Sequence, residues 1–327
     1  MSLTLQFLGT AASRPTVERN VCSLAVTREG ETFLFDCGEG TQRQMMRYGI
    51  TFALDDIFFT HFHTDHVVGI VGLVRTFQLG GRTTPLRLWG PTGATRILRQ
   101  HIFAGGGDRL GYPLEIAEMS AGDAVKRRDY EIRAFATDHR GTPSLGFTLV
   151  EYDRLGRFNP DLARAMGIPE GPLWGQIHRG LSVTLPDGRV VEPAELVGEK
   201  RPGRKVVITG DTRPSAVTVD EAAGADVLVH EATFAEEEAA RAAETGHSTA
   251  REAAMVARAA QVDRLFLTHI SARYSRDASD LEREARAVQP RSWIARDGMA
   301  VKIPYVTDDA VPADAPVPNG AGVDDTR

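Results

Sequence analysis

Three histidines and an aspartate fall within six residues, His61-Phe62-His63-Thr64-Asp65-His66, directly after the apolar run Ile57-Phe58-Phe59. Imidazole nitrogens and carboxylate oxygens suit a borderline divalent metal such as zinc. So many good donors in so short a loop exceed the needs of a single ion. The same pattern, an apolar run followed by a metal-competent residue, recurs four more times. Residues 131–136 lead into Thr137-Asp138-His139, and residues 205–209 into Gly210-Asp211-Thr212. Residues 227–229 lead into His230-Glu231-Ala232-Thr233, and residues 265–267 into Thr268-His269. Counting donors gives two ions: His61, His63 and His139 for one, Asp65, His66 and His269 for the other, with the two oxygens of Asp211 as a bridge. Two ions with open positions suit phosphodiester hydrolysis, because together they activate a water and neutralise charge on the phosphoryl oxygens.

The elements that must position these residues are short strands. Runs at 3–8, 32–35, 56–60, 86–89, 131–136, 144–150, 205–209, 227–230, 264–268 and 299–303 are mostly rich in Val, Ile, Leu and Phe, as buried strands are. Helices are expected at 93–103, 249–260 and 278–288, the second opened by the capping-box sequence Thr249-Ala250-Arg251-Glu252. Strands alternating with helices imply a layered α/β fold, in which ligands gather at the carboxyl ends of strands. The five chemistry-bearing strand ends are expected to converge there. Residues 152–202 break the rhythm with Pro- and Gly-rich turns and interspersed basic residues, and read as a protruding insertion.

Composition bounds the rest. The 327 residues are 42% hydrophobic and 25% charged, ordinary for a globular chain, and no apolar run is long enough to span a membrane. The N-terminal residues lack the basic and apolar regions of a signal peptide. Cys22 and Cys37 make no Cys-x-x-Cys pair, so the expectation is a reduced, cytoplasmic protein in which both are small buried side chains. Of the net charge of −6, the segment 307–327 carries −4 through five aspartates and one arginine, and the body is nearly neutral. Bulk charge therefore neither demands nor excludes a polyanion. The segment 306–327 is expected to be a disordered acidic tail on a hydrolase domain spanning 1–305.

The set of motifs resembles the metallo-β-lactamase superfamily over residues 3–303, which implies a four-layer αβ/βα sandwich. Within it the chain is similar to the ribonuclease Z family of tRNA 3′-processing endonucleases. The similarity rests on Phe7-Leu8-Gly9-Thr10 with Pro15 and Arg19-Asn20, on His230-Glu231-Ala232-Thr233, and on Gly246-His247-Ser248-Thr249. It extends to Gly171-Pro172-Leu173-Trp174-Gly175 in the insertion, to His269-Ile270-Ser271-Ala272-Arg273-Tyr274, and to Ala295-Arg296-Asp297-Gly298-Met299. The resemblance implies two Zn2+ per subunit, with Mn2+ as the alternative, a precursor-tRNA substrate, and a homodimer in which the arm of one subunit grips tRNA cut by the other. It assigns Asp65 as proton acceptor. His247, just before a capped helix, is the candidate general acid for the leaving 3′-oxygen, with Glu231 orienting it. The expected products are a 3′-hydroxyl on the tRNA and a 5′-phosphate on the trailer. Arg273 and Ser271 are expected to hold a phosphate. Arg19 and Asn20 in the N-terminal loop, and Gly171 and Pro172 in the arm, are the other expected substrate contacts. His230 is a candidate buried partner rather than a ligand, and His101 and His178 are structural or exposed. Val17 stands where many family members have lysine, which bears on precursors that encode CCA. Two rivals remain at this level: a small-molecule hydrolase of the same superfamily, and a non-catalytic metal- and RNA-binding protein. The arm argues against the first and the full ligand set against the second.

Overall fold

Alternation along the central strands decides the layering. Phe33 and Phe35 point to one face of their strand and Leu34 to the other, and Phe58 and Ile57 divide in the same way on the neighbouring strand. The phenylalanines stack into the interior: Phe35 and Phe58 lie 5.7 Å and 5.3 Å from Phe147, and Phe7 lies 6.1 Å from Phe266. Phe147 and Phe266 belong to a second sheet, so the two sheets meet through an aromatic core.

This computed structural model describes residues 2–104 and 109–305 and the backbone of 317–318. It divides into two units: Met1–Lys126 with Ile132–Leu149 and Lys205–Arg327, and Arg127–Glu131 with Val150–Arg204. The first part of the chain forms β1 (Leu3–Gly9), β2 (Ser23–Arg28), β3 (Glu31–Phe35), α1 (Thr41–Arg47), β4 (Asp56–Phe58), α2 (Thr64–Val67), α3 (Ile70–Leu79), β5 (Leu86–Gly90), α4 (Ala94–Phe103) and β6 (Leu114–Glu118). Then come β7 (Ala124–Lys126), β8 (Tyr130–Ala136) and β9 (Leu145–Glu151). The second unit adds α5 (Pro160–Ala165), α6 (Pro172–His178), β10 (Val183–Thr184), β11 (Val190–Val191) and α7 (Pro193–Leu196). The chain continues through β12 (Lys205–Ile208), α8 (Ala216–Ala222), β13 (Val227–Glu231), α9 (Ala239–Thr245), α10 (Ala250–Ala259) and β14 (Arg264–Thr268). It finishes with α11 (Ser279–Arg286), β15 (Ser292–Ile294), β16 (Met299–Lys302) and β17 (Val317–Pro318).

The first sheet has the order β17-β16-β1-β2-β3-β4-β5-β6 and the second β15-β14-β13-β12-β9-β8-β7. On the outer face of the first, Ile70, Leu73, Val74 and Phe77 of α3 pack with Leu34, Ile57 and Leu88. On the outer face of the second, Ala253, Ala254 and Ala257 of α10 pack with Leu228, Leu265 and Leu267. The small alanines let the helix lie close to the strands. The result is helix, sheet, sheet, helix, the expected four layers.

β2, β6 and α3 are among the elements added to those expected from sequence. β2 and β3 form a hairpin closed by Glu29 (φ 49°) and Gly30 (φ 95°), with Arg28 opposite Glu31. That geometry is a two-residue turn with both central residues at positive φ. Of the expected acidic tail, Val317–Pro318 pair with β16, and the other residues after Tyr305 lie outside the described residues.

The second unit contains the whole of the expected insertion, 152–202, and has its own core of Ala163, Ile168, Ile177, Val183, Leu185, Val191 and Leu196. Its two chain ends are zipped together. Glu151 accepts from Arg204 at 2.8 Å and 2.7 Å, both side chains being buried, and Arg154 bridges to Arg201. Not every arginine there is placed to meet a phosphate. Arg204 is consumed by Glu151, and Arg164 donates to Asp161 (2.8 Å) and Glu170 (2.7 Å) while lying over Trp174. Arg179 and Lys200 are exposed. Gly171 and Pro172 are exposed at the start of α6, where Gly171 adopts φ 140° and Pro172 occupies the first turn.

Candidate metal centre

The five strand ends converge within the first unit. β4 leads to Thr60 and His61, β8 to His139, β12 to Asp211, β13 ends on Glu231, and β14 leads to His269. The loop after His61 turns straight into α2, so that His63 is its N-cap and Asp65 and His66 lie in its single turn. Two close approaches hold that turn in place. A Cβ on Gly38 would sit 2.2 Å from the Asp65 carbonyl oxygen, and one on Gly69 would sit 1.9 Å from the Gly38 carbonyl oxygen. Only glycine fits either position.

One ligand atom each from His61, His63, His139 and Asp211 lie within 4.8 Å of one another. Around Asp65 a second ring closes: Asp65 Oδ2 is 3.6 Å from His66 Nε2 and 3.4 Å from His269 Nε2. Asp211 completes it, with Oδ1 3.4 Å from His66 Nε2 and Oδ2 3.2 Å from His269 Nε2. Asp211 thus belongs to both groups, the placement a bridging carboxylate needs. The Asp65 Oδ2 also accepts from the Ser13 N–H at 2.7 Å.

Hydrogen bonds fix which nitrogen of each ring is left for a ligand. His66 Nδ1 donates to Asp36 Oδ2 (2.7 Å), and His139 Nδ1 donates to the Gly246 carbonyl (2.8 Å). Thr60 Oγ1 donates to the Asp36 carboxylate (2.9 Å), so it accepts from His61 Nδ1 at 3.0 Å. Thr233 Oγ1 donates to Glu231 Oε2 (2.8 Å), so it accepts from His269 Nδ1, also at 2.8 Å. In all four rings the proton sits on Nδ1 and the Nε2 lone pair is left for the cluster. His63 presents Nδ1 instead, 3.2 Å from His139 Nε2.

The donor set fits a divalent ion. His61 Nε2, His66 Nε2 and Asp211 Oδ1 are buried with no hydrogen-bond partner among the described residues, which is costly unless a cation engages them. The electrostatics point the same way. Burial opposes charge on both partners, yet Asp211 and Asp36 hold His66 well above the usual histidine range. His269, His66 and His61 hold the Asp211 carboxyl well below its usual range despite that burial. Burial pushes His61 well below its usual value. The charges that favour a proton on His66 equally favour a bound cation.

At the edge of the cluster, where one ligand atom each of Asp211, His247 and His269 lie within 4.8 Å of one another, stands a histidine–carboxylate pair. His247 Nδ1 donates to Glu231 Oε1 at 2.8 Å, and Glu231 also accepts from the Thr212 N–H (3.0 Å) and the Thr233 hydroxyl (2.8 Å). Burial works against the imidazolium, but the charge and hydrogen bond of Glu231, then Asp211, raise His247 to about 9. Its side chain is 13% exposed, so a ligand can reach it. The ring is well held, because α9 ends at Gly246 in a left-handed conformation and α10 is capped by Thr249 with Glu252.

Other sequence-derived residues are placed differently. Arg19 is buried, its guanidinium donating to Thr10 Oγ1 (2.7 Å) and the Ala295 carbonyl (2.6 Å), so it braces the N-terminal loop rather than facing a substrate. Asn20 donates to the Glu39 carbonyl at 2.6 Å, while its own N–H is held by Asp297. Arg273 lies near the site but pairs with Glu238, and Ser271 caps the turn that carries it. His230 is buried and bonds the Glu231 carbonyl at 2.7 Å, outside both ligand groups. Val17 is 99% exposed on its loop. Asp36 went unremarked in the sequence, although it follows a strand end like the others. It sits at φ 59°, an uncommon left-handed conformation for a non-glycine residue.

A family described as Anti-Pycsar protein Apyc1 matches residues 3–161, and one described as beta-lactamase superfamily domain matches residues 192–270. The chain is 64% identical over 304 residues to Ribonuclease Z of Gemmatimonas aurantiaca, covering 93% of this chain and 96% of that one. It is 51% identical over 303 residues to Ribonuclease Z of Myxococcus xanthus, covering 92% and 98%. Among solved structures, the short form of human tRNase Z matches with a TM-score of 0.65 at 26% identity, covering 92% of this chain and 99% of that one. The metallo-beta-lactamase fold protein YhfI from Bacillus subtilis matches with a TM-score of 0.66 at 17% identity, covering 92% and 100%, a likeness of fold alone.

Proposed function

This chain belongs to the ribonuclease Z family, and from that premise we propose that it is a zinc-dependent endoribonuclease that removes the 3′ trailer from tRNA precursors. The observation that carries the reading is two ligand groups sharing Asp211 with a hydrogen-bonded His247–Glu231 couple beside them. A metal-storage or binding role has no use for that couple.

His61, His63, His139 and Asp211 would hold one ion, and Asp65, His66, His269 and Asp211 the other. When bound, the ions supply an activated water and neutralise charge on the phosphoryl oxygens. Manganese is the alternative to zinc. Asp65 Oδ2, held by the Ser13 N–H, accepts the proton that the attacking water loses. As the water oxygen bonds to phosphorus and the bond from phosphorus to the 3′-oxygen breaks, that oxygen takes a proton from His247 Nε2. Glu231 keeps His247 charged for the transfer. The tRNA leaves with a 3′-hydroxyl and the trailer with a 5′-phosphate.

The arm, residues 152–202, grips tRNA that is cut by the partner subunit of a homodimer, with exposed Arg179 and Lys200 as its phosphate contacts. The test compares a tRNA precursor with bis-p-nitrophenyl phosphate, using the full chain and one lacking the arm, with metal content checked in both. The shortened chain should keep turnover of the small ester and lose tRNA cleavage. Unchanged tRNA cleavage would sink the role of the arm. Turnover of the small ester alone by the full chain would sink the substrate assignment.

A further inference from the structure

Cys22 enters none of the chemistry described so far. It precedes β2, is 7% exposed, and its carbonyl is fixed by the Gly38 N–H at 3.0 Å. Its sulfur lies 3.7 Å from the Ala11 carbonyl, a weak contact. One ligand atom each of Cys22, His66 and His269 lie within 4.8 Å of one another. Donors that share one ion at bond lengths of about 2.0–2.3 Å stand at most roughly 4.6 Å apart, so the trio is near the spacing that a shared ion needs. The thiol also lines a cavity with Asp36, His66, Asp211 and His269. Two groups there are independently short of a partner: His66 Nε2 and Asp211 Oδ1 are buried and unbonded among the described residues. Cys37, the other cysteine, is equally buried but joins no such group.

We propose that Cys22 is a further ligand of the second ion, its sulfur joining His66 and His269 and making that position selective for a thiophilic divalent cation, zinc or cadmium, over manganese. The inference rests on the two-ion reading above. Thiolate sulfur is the softest donor in the site, whereas manganese prefers oxygen, so the two positions would differ in metal preference although both share Asp211. The thiol proton leaves to solvent as the metal–sulfur bond forms.

The test reconstitutes the full chain with cadmium, counts ions per chain by mass spectrometry, and records the ultraviolet charge-transfer absorbance of a thiolate–cadmium bond. Two ions and a charge-transfer band are expected, the band surviving in Cys37→Ser and lost in Cys22→Ser. Zinc–manganese competition should shift toward manganese in Cys22→Ser. Two cadmium ions without a band in the unsubstituted chain would overturn the role of Cys22 and leave the two-ion reading intact, a result that needs no variant to fold. A band that persists in Cys22→Ser would also overturn it. A single ion per chain would overturn the two-ion reading itself.

Discussion

At the residue scale, two buried carboxylates organise most of the site. Asp36 accepts from His66 directly and from His61 through Thr60; Glu231 accepts from His247 directly and from His269 through Thr233. Neither carboxylate needs to touch the substrate, yet between them they set the tautomer of three candidate ligands and the charge of the general acid. For His247, general acid catalysis is worth about 10²–10⁴ in rate, so His247→Ala should lose that much cleavage while keeping both ions. Loss of an ion along with the rate would point instead to a ligand role. The raised value of about 9 gives a pH signature, because His247 works when protonated and the rate should fall as pH rises through about 9. Glu231→Gln removes the charge that raises it, and the alkaline limb should move down toward the usual histidine range. A limb that stays in place would exclude His247 as its source. Asp211→Ala should leave fewer than two ions per chain, measured by metal analysis; two tightly held ions would remove its bridging role.

At the scale of elements, the site depends on how strand ends are brought together. Gly38 and Gly69 let the loop after β3, the turn of α2 and the start of α3 touch through their backbones. Gly69→Ala places a methyl against the Gly38 carbonyl and should cost at least about 1–3 kcal/mol in a denaturant melt, with reduced metal occupancy. A stability equal to that of the unsubstituted chain would show that the loop is slack. These contacts explain what could and could not be read from the sequence. β12, β13 and β14 are continuous apolar runs ending in polar chemistry, and both their existence and their importance show in one dimension. β2 was hidden because Ser23–Arg28 mixes small and polar residues, and its best marker is the Glu29-Gly30 turn. α3 was hidden because Gly72 and the β-branched Ile70, Val71 and Val74 are poor helix formers, overridden by burial against the first sheet.

At the scale of the whole molecule, the site histidines were legible because their spacing is local or repeats at each strand end. Cys22 was not, because only folding carries it to His66 and His269, whereas Asp36 carries the same strand-end signal and went unremarked. Arg19, expected as a substrate contact from the resemblance of its loop, has its guanidinium taken up by Thr10 and Ala295, which only the fold shows. The net charge of −6 was a poor guide to the substrate, since much of it lies after Tyr305. Among the described residues no helix is long and apolar enough to cross a membrane. The most direct test is to map both ends produced from a defined tRNA precursor by the zinc-loaded protein. The account predicts a single cut at the trailer junction, with a 3′-hydroxyl on the tRNA and a 5′-phosphate on the trailer. A 3′-phosphate or cyclic phosphate on the tRNA, or no cleavage by protein carrying two ions, would contradict it.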